Sequence, residues 1–158
     1  MLKRGTMKSI VKIVTFVFVV VFVVGAAYAQ FAKPEDAIKY RKAVMTLIVQ
    51  HFKSMGAVVQ GKADYDKDAF AANADAVKML AALPLEASLV PGSDKGNTTM
   101  TSAAFDNPGQ FAKVSKSFEA ETAKLAGAAN GGDLNAIKAQ FGKVAQSCSA
   151  CHKQFRKK

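Results

Sequence analysis

Near the end of the chain, two thiols and an imidazole stand together in Cys148-Ser149-Ala150-Cys151-His152. Two cysteines separated by two residues, followed at once by a histidine, can form thioethers with both vinyl groups of a haem while the imidazole binds the iron from one face. On a helical turn, positions i and i+3 face the same way, so both sulfurs reach one porphyrin edge. Two other chemistries use such residues. A Cys-x-x-Cys pair can be a redox disulfide, but that usage accompanies a βαβ pattern, and no strand-like alternation lies near this one. A zinc site needs four ligands, and outside the motif only His51 offers a further nitrogen or sulfur donor of the usual kind. The spacing favours covalent haem, with His152 on the iron and Cys148 and Cys151 on the porphyrin.

The N-terminus bears on the same chemistry. Lys3, Arg4, Lys8 and Lys12 form a basic region, Ile13 to Val24 is apolar except for Thr15, and Ala27-Tyr28-Ala29 is a small-x-small cleavage site. Residues 1–29 are expected to be a cleaved secretory signal peptide and residues 30–158 a single domain. The alternative is an uncleaved anchor, since the apolar run approaches the minimum for a membrane span. With cleavage, the protein is exported to the periplasm without a stable membrane anchor, and in bacteria haem is attached to such thiols outside the cytoplasm. Without the leader, 18 basic residues face 12 acidic ones. That balance suits acidic partners or anionic surfaces, whereas nucleic acid fits poorly with export and with a chain lacking a basic patch interleaved with aromatics.

The elements that must carry the motif are helices. From Lys33 to Gly61, Ile38, Met45, Ile48, Phe52, Met55 and Val59 form one stripe, with Pro34 at a first-turn position, Glu35 and Asp36 where the macrodipole favours acids, and Gly61 as a stop. Arg41 interrupts that stripe, either as a snorkelling side chain at the bundle's end or as the partner of a buried anion such as a haem propionate. A second helix is expected from Asp68 to Leu83, with Phe70, Val77, Leu80 and Ala81 inward, ended by Pro84 and followed by a long loop to Asn107. A third should be capped by Asn107, open at Pro108 and run to about Ala129 with Phe111, Val114, Phe118 and Leu125 inward. In the fourth, capped by Asp133, Leu134, Ile137, Phe141, Val144, Cys148, Cys151 and Phe155 step by three and four without a fault, which puts both thiols on its core stripe. The class is all-α, an antiparallel up-down-up-down four-helix bundle with its haem held against the interior.

Taken together, the chain resembles the cytochrome c′ family, the bundle type of c-type cytochrome. The resemblance rests on Phe31-Ala32-Lys33-Pro34-Glu35-Asp36-Ala37 with Tyr40-Arg41, on the Leu83-Pro84 and Pro91-Gly92 punctuation, and on Cys148 to His152 near the C-terminus followed by Phe155-Arg156-Lys157-Lys158. It implies one haem c per chain with His152 as the sole strong axial ligand of five-coordinate iron. It also implies that Met45 crowds the opposite face, that Arg41 lies near the propionates and Arg156 beside the histidine, and that the protein is a homodimer through its first two helices.

Met45 divides two functions. As a packing side chain, like Met55 and Met79 on their own apolar stripes, it would guard a site for small diatomic gases, nitric oxide above all and carbon monoxide as a probe. As a thioether ligand it would make a six-coordinate, low-spin electron carrier serving a redox partner protein. His51, beside the Ile48 to Phe52 stripe, is expected to be partly exposed rather than a ligand. No placed Ser/His/Asp set or distal acid or base points to an enzyme.

Overall fold

The computed structural model describes residues 31–157, so the expected signal peptide lies outside the described residues. Six helices follow in order: α1 (Pro34–Val59), α2 (Lys67–Leu80), α3 (Leu83–Ser88), α4 (Ala103–Asp106), α5 (Pro108–Gly131) and α6 (Leu134–Phe155). No β-strand occurs among the described residues, only an isolated antiparallel bridge between Met100 and Arg156. The four long helices form the expected bundle.

Local chemistry explains most of the boundaries. Pro34 opens α1, Glu35 and Asp36 occupy its first turn, and Gly61 at φ +70° lets the chain fold back so that its N–H reaches Val58 O at 2.9 Å. The Asp66 carboxylate accepts from Ala69 N at 2.8 Å to begin α2, and Asp133 accepts from Asn135 N at 2.9 Å to begin α6. Between α5 and α6, Gly132 at φ +83° closes the turn with bonds to Ala128 O and Ala129 O. Two expectations are corrected. Pro84 does not end α2, which stops at Leu80; it sits in the first turn of α3, where its missing N–H costs nothing. Asn107 makes no side-chain cap to α5, and Pro108 alone marks that start.

Long-range contacts set the directions. Tyr65, just before α2, donates to Gly132 O at the end of α5, so those helices run antiparallel. Phe111 at the start of α5 meets Phe155 at the end of α6 edge-on, with ring centroids 5.2 Å apart. His51 in α1 bonds Asn73 in α2 at 2.9 Å. The order is therefore up, down, up, down.

Burial divides into two clusters. The larger gathers Val44, Ile48, Met55, Phe70, Val77, Leu125, Ile137 and Val144 from all four long helices. The smaller, near the C-terminal end of α6, gathers Met100, Ala104, Phe111 and Phe155 under Leu85, Leu89 and Phe105. The ring of four helices is uneven: α1 and α6 share the sparsest of its side-by-side contacts. Residues 81–107, carrying α3 and α4, strap across one end, with α3 packed on α1.

Candidate haem site at the seam between the first and last helices

The seam is pinned at one level by two rings. Phe52 of α1 and Phe141 of α6 stack with centroids 4.1 Å apart and planes 6° from parallel. A Cβ at Gly56 would lie 3.4 Å from the Phe141 ring, so the backbone of α1 also comes close there. Because the two helices are antiparallel and rise about 1.5 Å per residue, equal steps away from this stack reach equal levels. Seven residues back along α1 is Met45 and seven forward along α6 is Cys148, each about 10 Å from the stack. Eleven residues gives Arg41 and His152, again level with each other.

Met45 is not a core residue. Val44 takes the buried position that the spacing assigned to Met45, because steps of three and of four from Arg41 both stay on a helical face. Met45 shares the side of α1 that carries Phe52 and Gly56, and it stands 36% exposed, with Val49 on the same side 48% exposed. Met79, expected on an apolar stripe, is 76% exposed, whereas Met55 is buried.

The two thiols straddle the core clusters. Cys148 packs against the larger and Cys151 against the smaller, so a group bonded to both sulfurs would lie where the clusters meet. Both are free and half-buried. Burial, reinforced by the neighbouring Cys151, pushes the Cys148 thiol up to about 11, and burial also raises Cys151. His152 reaches solvent, yet desolvation by its neighbours and then the charge of Arg156 hold its imidazole below the usual range, which keeps a ring nitrogen lone pair available. Paired thiols one turn apart, an imidazole beside them and uncovered apolar side chains across the seam fit a covalently attached apolar macrocycle. Among the described residues, no group of three or more His, Cys, Asp or Glu gathers as a metal cluster.

The sequence of the chain agrees. The profile of the Cytochrome C′ family matches residues 36–156. The chain belongs to the cytochrome c′ family. A cytochrome c′ from Alcaligenes xylosoxydans xylosoxydans is 42% identical over 129 residues, covering 82% of this chain and 99% of the relative. Among solved structures, cytochrome c prime from Shewanella frigidimarina aligns with a TM-score of 0.79 at 36% identity, covering 82% of this chain and all of that one. Cytochrome c prime from Alcaligenes xylosoxidans aligns at 0.76 and 41% identity over 82% of this chain, as a nitric oxide complex of one variant, covering 99% of that chain, and as a carbon monoxide-bound form of another, covering 100%. Like other cytochromes c′, this chain is a c-type haem protein, and its cofactor is covalent haem c.

The remaining site residues fall as follows. Arg41 is 7% exposed, and both of its terminal nitrogens bond the strap: Nη1 donates to Ala87 O at 2.9 Å and Ser93 Oγ at 3.4 Å, and Nη2 to Ser93 O at 2.9 Å and Thr98 Oγ1 at 2.8 Å. Desolvation lowers its pKa. Neither Ser93 nor Thr98 carried any signal in the sequence, since small polar residues in a loop read as solvated turns. Arg156 lies in extended backbone just past α6, its N–H bonded to His152 O at 3.2 Å. His51 is half-buried, and its Nδ1–H is spent on Asn73 Oδ1, whose amide orientation is set by Nδ2 donating to Ala69 O.

Proposed function

We propose that this cytochrome c′ holds its haem through thioethers at Cys148 and Cys151 and through His152, and binds nitric oxide or carbon monoxide on the opposite face under the control of Met45. Bound haem supplies an iron atom that can bond a small gas and cycle between two oxidation states. The chain supplies access and exclusion. Met45, Val49 and Phe52 line their side of α1 with apolar atoms, and those side chains offer no proton to a bound ligand and no anchor to water. This supports ligand binding over turnover, and we read the protein as a binding protein rather than an enzyme. The single observation that carries the reading is the position of Met45, level with Cys148 and turned toward the seam instead of the core.

The same position leaves its sulfur unspent in packing, which is what favours the second reading, a six-coordinate electron carrier. Ferric and ferrous optical and paramagnetic-resonance spectra decide between them. High-spin spectra in both states that respond to nitric oxide, with faster gas association in Met45→Ala, support a guarded site. A low-spin spectrum that resists added gas and is lost in Met45→Ala would make Met45 an iron ligand.

Export rests on residues 1–29; among the described residues, no helix is long and apolar enough to cross a membrane. We further read the protein as a periplasmic homodimer joined through α1 and α2, a reading supported by Leu47 at 49% exposure on α1 and by Met79 on α2.

A further inference from the structure

Arg41 is a buried cation whose bonds go to carbonyl and hydroxyl oxygens rather than to a carboxylate. Its two terminal nitrogens fork across three segments of the strap: the end of α3 at Ala87, the turn at Ser93, and Thr98. Those acceptors are themselves tied together. Ser93 Oγ donates to Ser88 O at 3.3 Å, and Ser88 Oγ donates to Pro84 O at 2.5 Å. Beyond Thr98 the strap runs to the end of α6. Thr98 Oγ1 also accepts from Met100 N at 3.1 Å, Thr101 N donates to Phe155 O at 2.9 Å, and Lys157 N donates to Thr99 O at 2.7 Å. An unbroken run of hydrogen bonds and backbone thus leads from Arg41 on α1 to Phe155 and Lys157, within two turns past His152.

We propose that Arg41 is a positioning residue for the haem-attachment helix: through Thr98 it fixes the strap, and the strap fixes where the end of α6, and with it His152, stands across the seam from Met45. The span is otherwise weakly determined. The Phe52–Phe141 stack holds α1 to α6 about 16 Å away from the level of His152, and no comparable ring pair closes the seam at that end among the described residues. A guanidinium suits the task because its planar, rigid fork meets acceptors on several segments in fixed directions, which a lysine ammonium on a flexible stem does less well. The inference rests on the haem reading only for its spectroscopic arm, since the hydrogen-bond relay belongs to the chain itself.

The test uses holoprotein in wild-type, Arg41→Met, Arg41→Lys and Thr98→Val forms. Native-state hydrogen exchange is followed at the Thr101 and Lys157 amides, with Val77 and Leu125 amides as references, and the iron–histidine stretching band is recorded by resonance Raman. Losing a bond to a charged donor should speed exchange at Thr101 and Lys157 by about tenfold or more in Arg41→Met while the reference amides hold. Thr98→Val, which spares the Arg41 bonds to Ala87 and Ser93, should do the same at Lys157. Arg41→Lys should rescue only in part, and the iron–histidine band should shift or broaden in step with exchange. Unchanged exchange at Thr101 and Lys157 in Thr98→Val overturns the relay, as does a uniform rise at every amide in both Arg41→Met and Thr98→Val. Faster exchange with an unmoved iron–histidine band overturns the link to His152 while leaving the gas-binding reading standing.

Discussion

If the Phe52–Phe141 stack sets the register of the seam, removing it should cost stability in a coupled way and also alter access to the haem. Truncating a fully buried Phe to Ala costs about 3–5 kcal/mol, and since the Phe141 ring is only half-buried, about 2 kcal/mol is expected for Phe141→Ala. For a domain of this size that is a fall in Tm of about 6–10 °C. A parallel ring pair contributes about 0.5–1.5 kcal/mol beyond its buried area, so Phe52→Ala and Phe141→Ala should be sub-additive in the double variant by about 1 kcal/mol. The assay is urea denaturation of the haem-loaded protein for both single variants, the double variant and wild type. Leu125→Ala is the control: that side chain is fully buried in the main cluster, so its loss should cost about 3 kcal/mol or more. Carbon monoxide recombination after flash photolysis then separates the two effects. Phe141→Ala should change the association rate because it loosens the helix pair that places Met45 opposite Cys148, whereas Leu125→Ala should leave that rate unchanged despite its larger cost. Additivity within about 0.3 kcal/mol, or equal kinetic effects of Phe141→Ala and Leu125→Ala, would refute the register argument.

Two further outcomes follow from other parts of the fold. Glu121 accepts from Lys124 Nζ and from Gln140 Nε2, both at 2.6 Å, and these bonds hold its carboxyl below the usual range. Since its folded pKa is the lower one, its stabilisation is present above the unfolded pKa and is lost as pH falls through the folded value. Glu121→Gln should therefore lower the urea midpoint near pH 7 and converge on wild type as the pH falls through the folded value; a pH-independent difference would contradict the assignment. At the expected dimer face, Leu47→Lys combined with Met79→Lys should shift the sedimentation coefficient from dimer to monomer at micromolar concentration. An unchanged dimer would place the interface elsewhere.

How far the sequence alone reaches varies along the chain. The four long helices are legible because periodicity, caps and breakers are local: Pro34, Gly61, Gly132 and Asp133 each act on their immediate neighbours. The Cys148–His152 motif is legible for the same reason, as its spacing is a property of one helical turn. Pro84 is ambiguous in sequence because a proline both stops one helix and starts the next, and only the packing of α3 on α1 selects the second outcome.

What sequence by itself determined is the helical class, the attachment chemistry and the presence of Arg41 and Met45 on the first helix. Their surroundings were decided by tertiary structure. Steps of three and four are both compatible with one helical face, so Val44 and Met45 are equal candidates for the core until α6 and the Phe52–Phe141 stack set the rotation of α1. A buried guanidinium is likewise uncommitted until the chain brings it acceptors. Those came from Ala87, Ser93 and Thr98, 46 to 57 residues away in a strap with no periodicity of its own, and pairings over such distances are written in packing rather than in any local pattern.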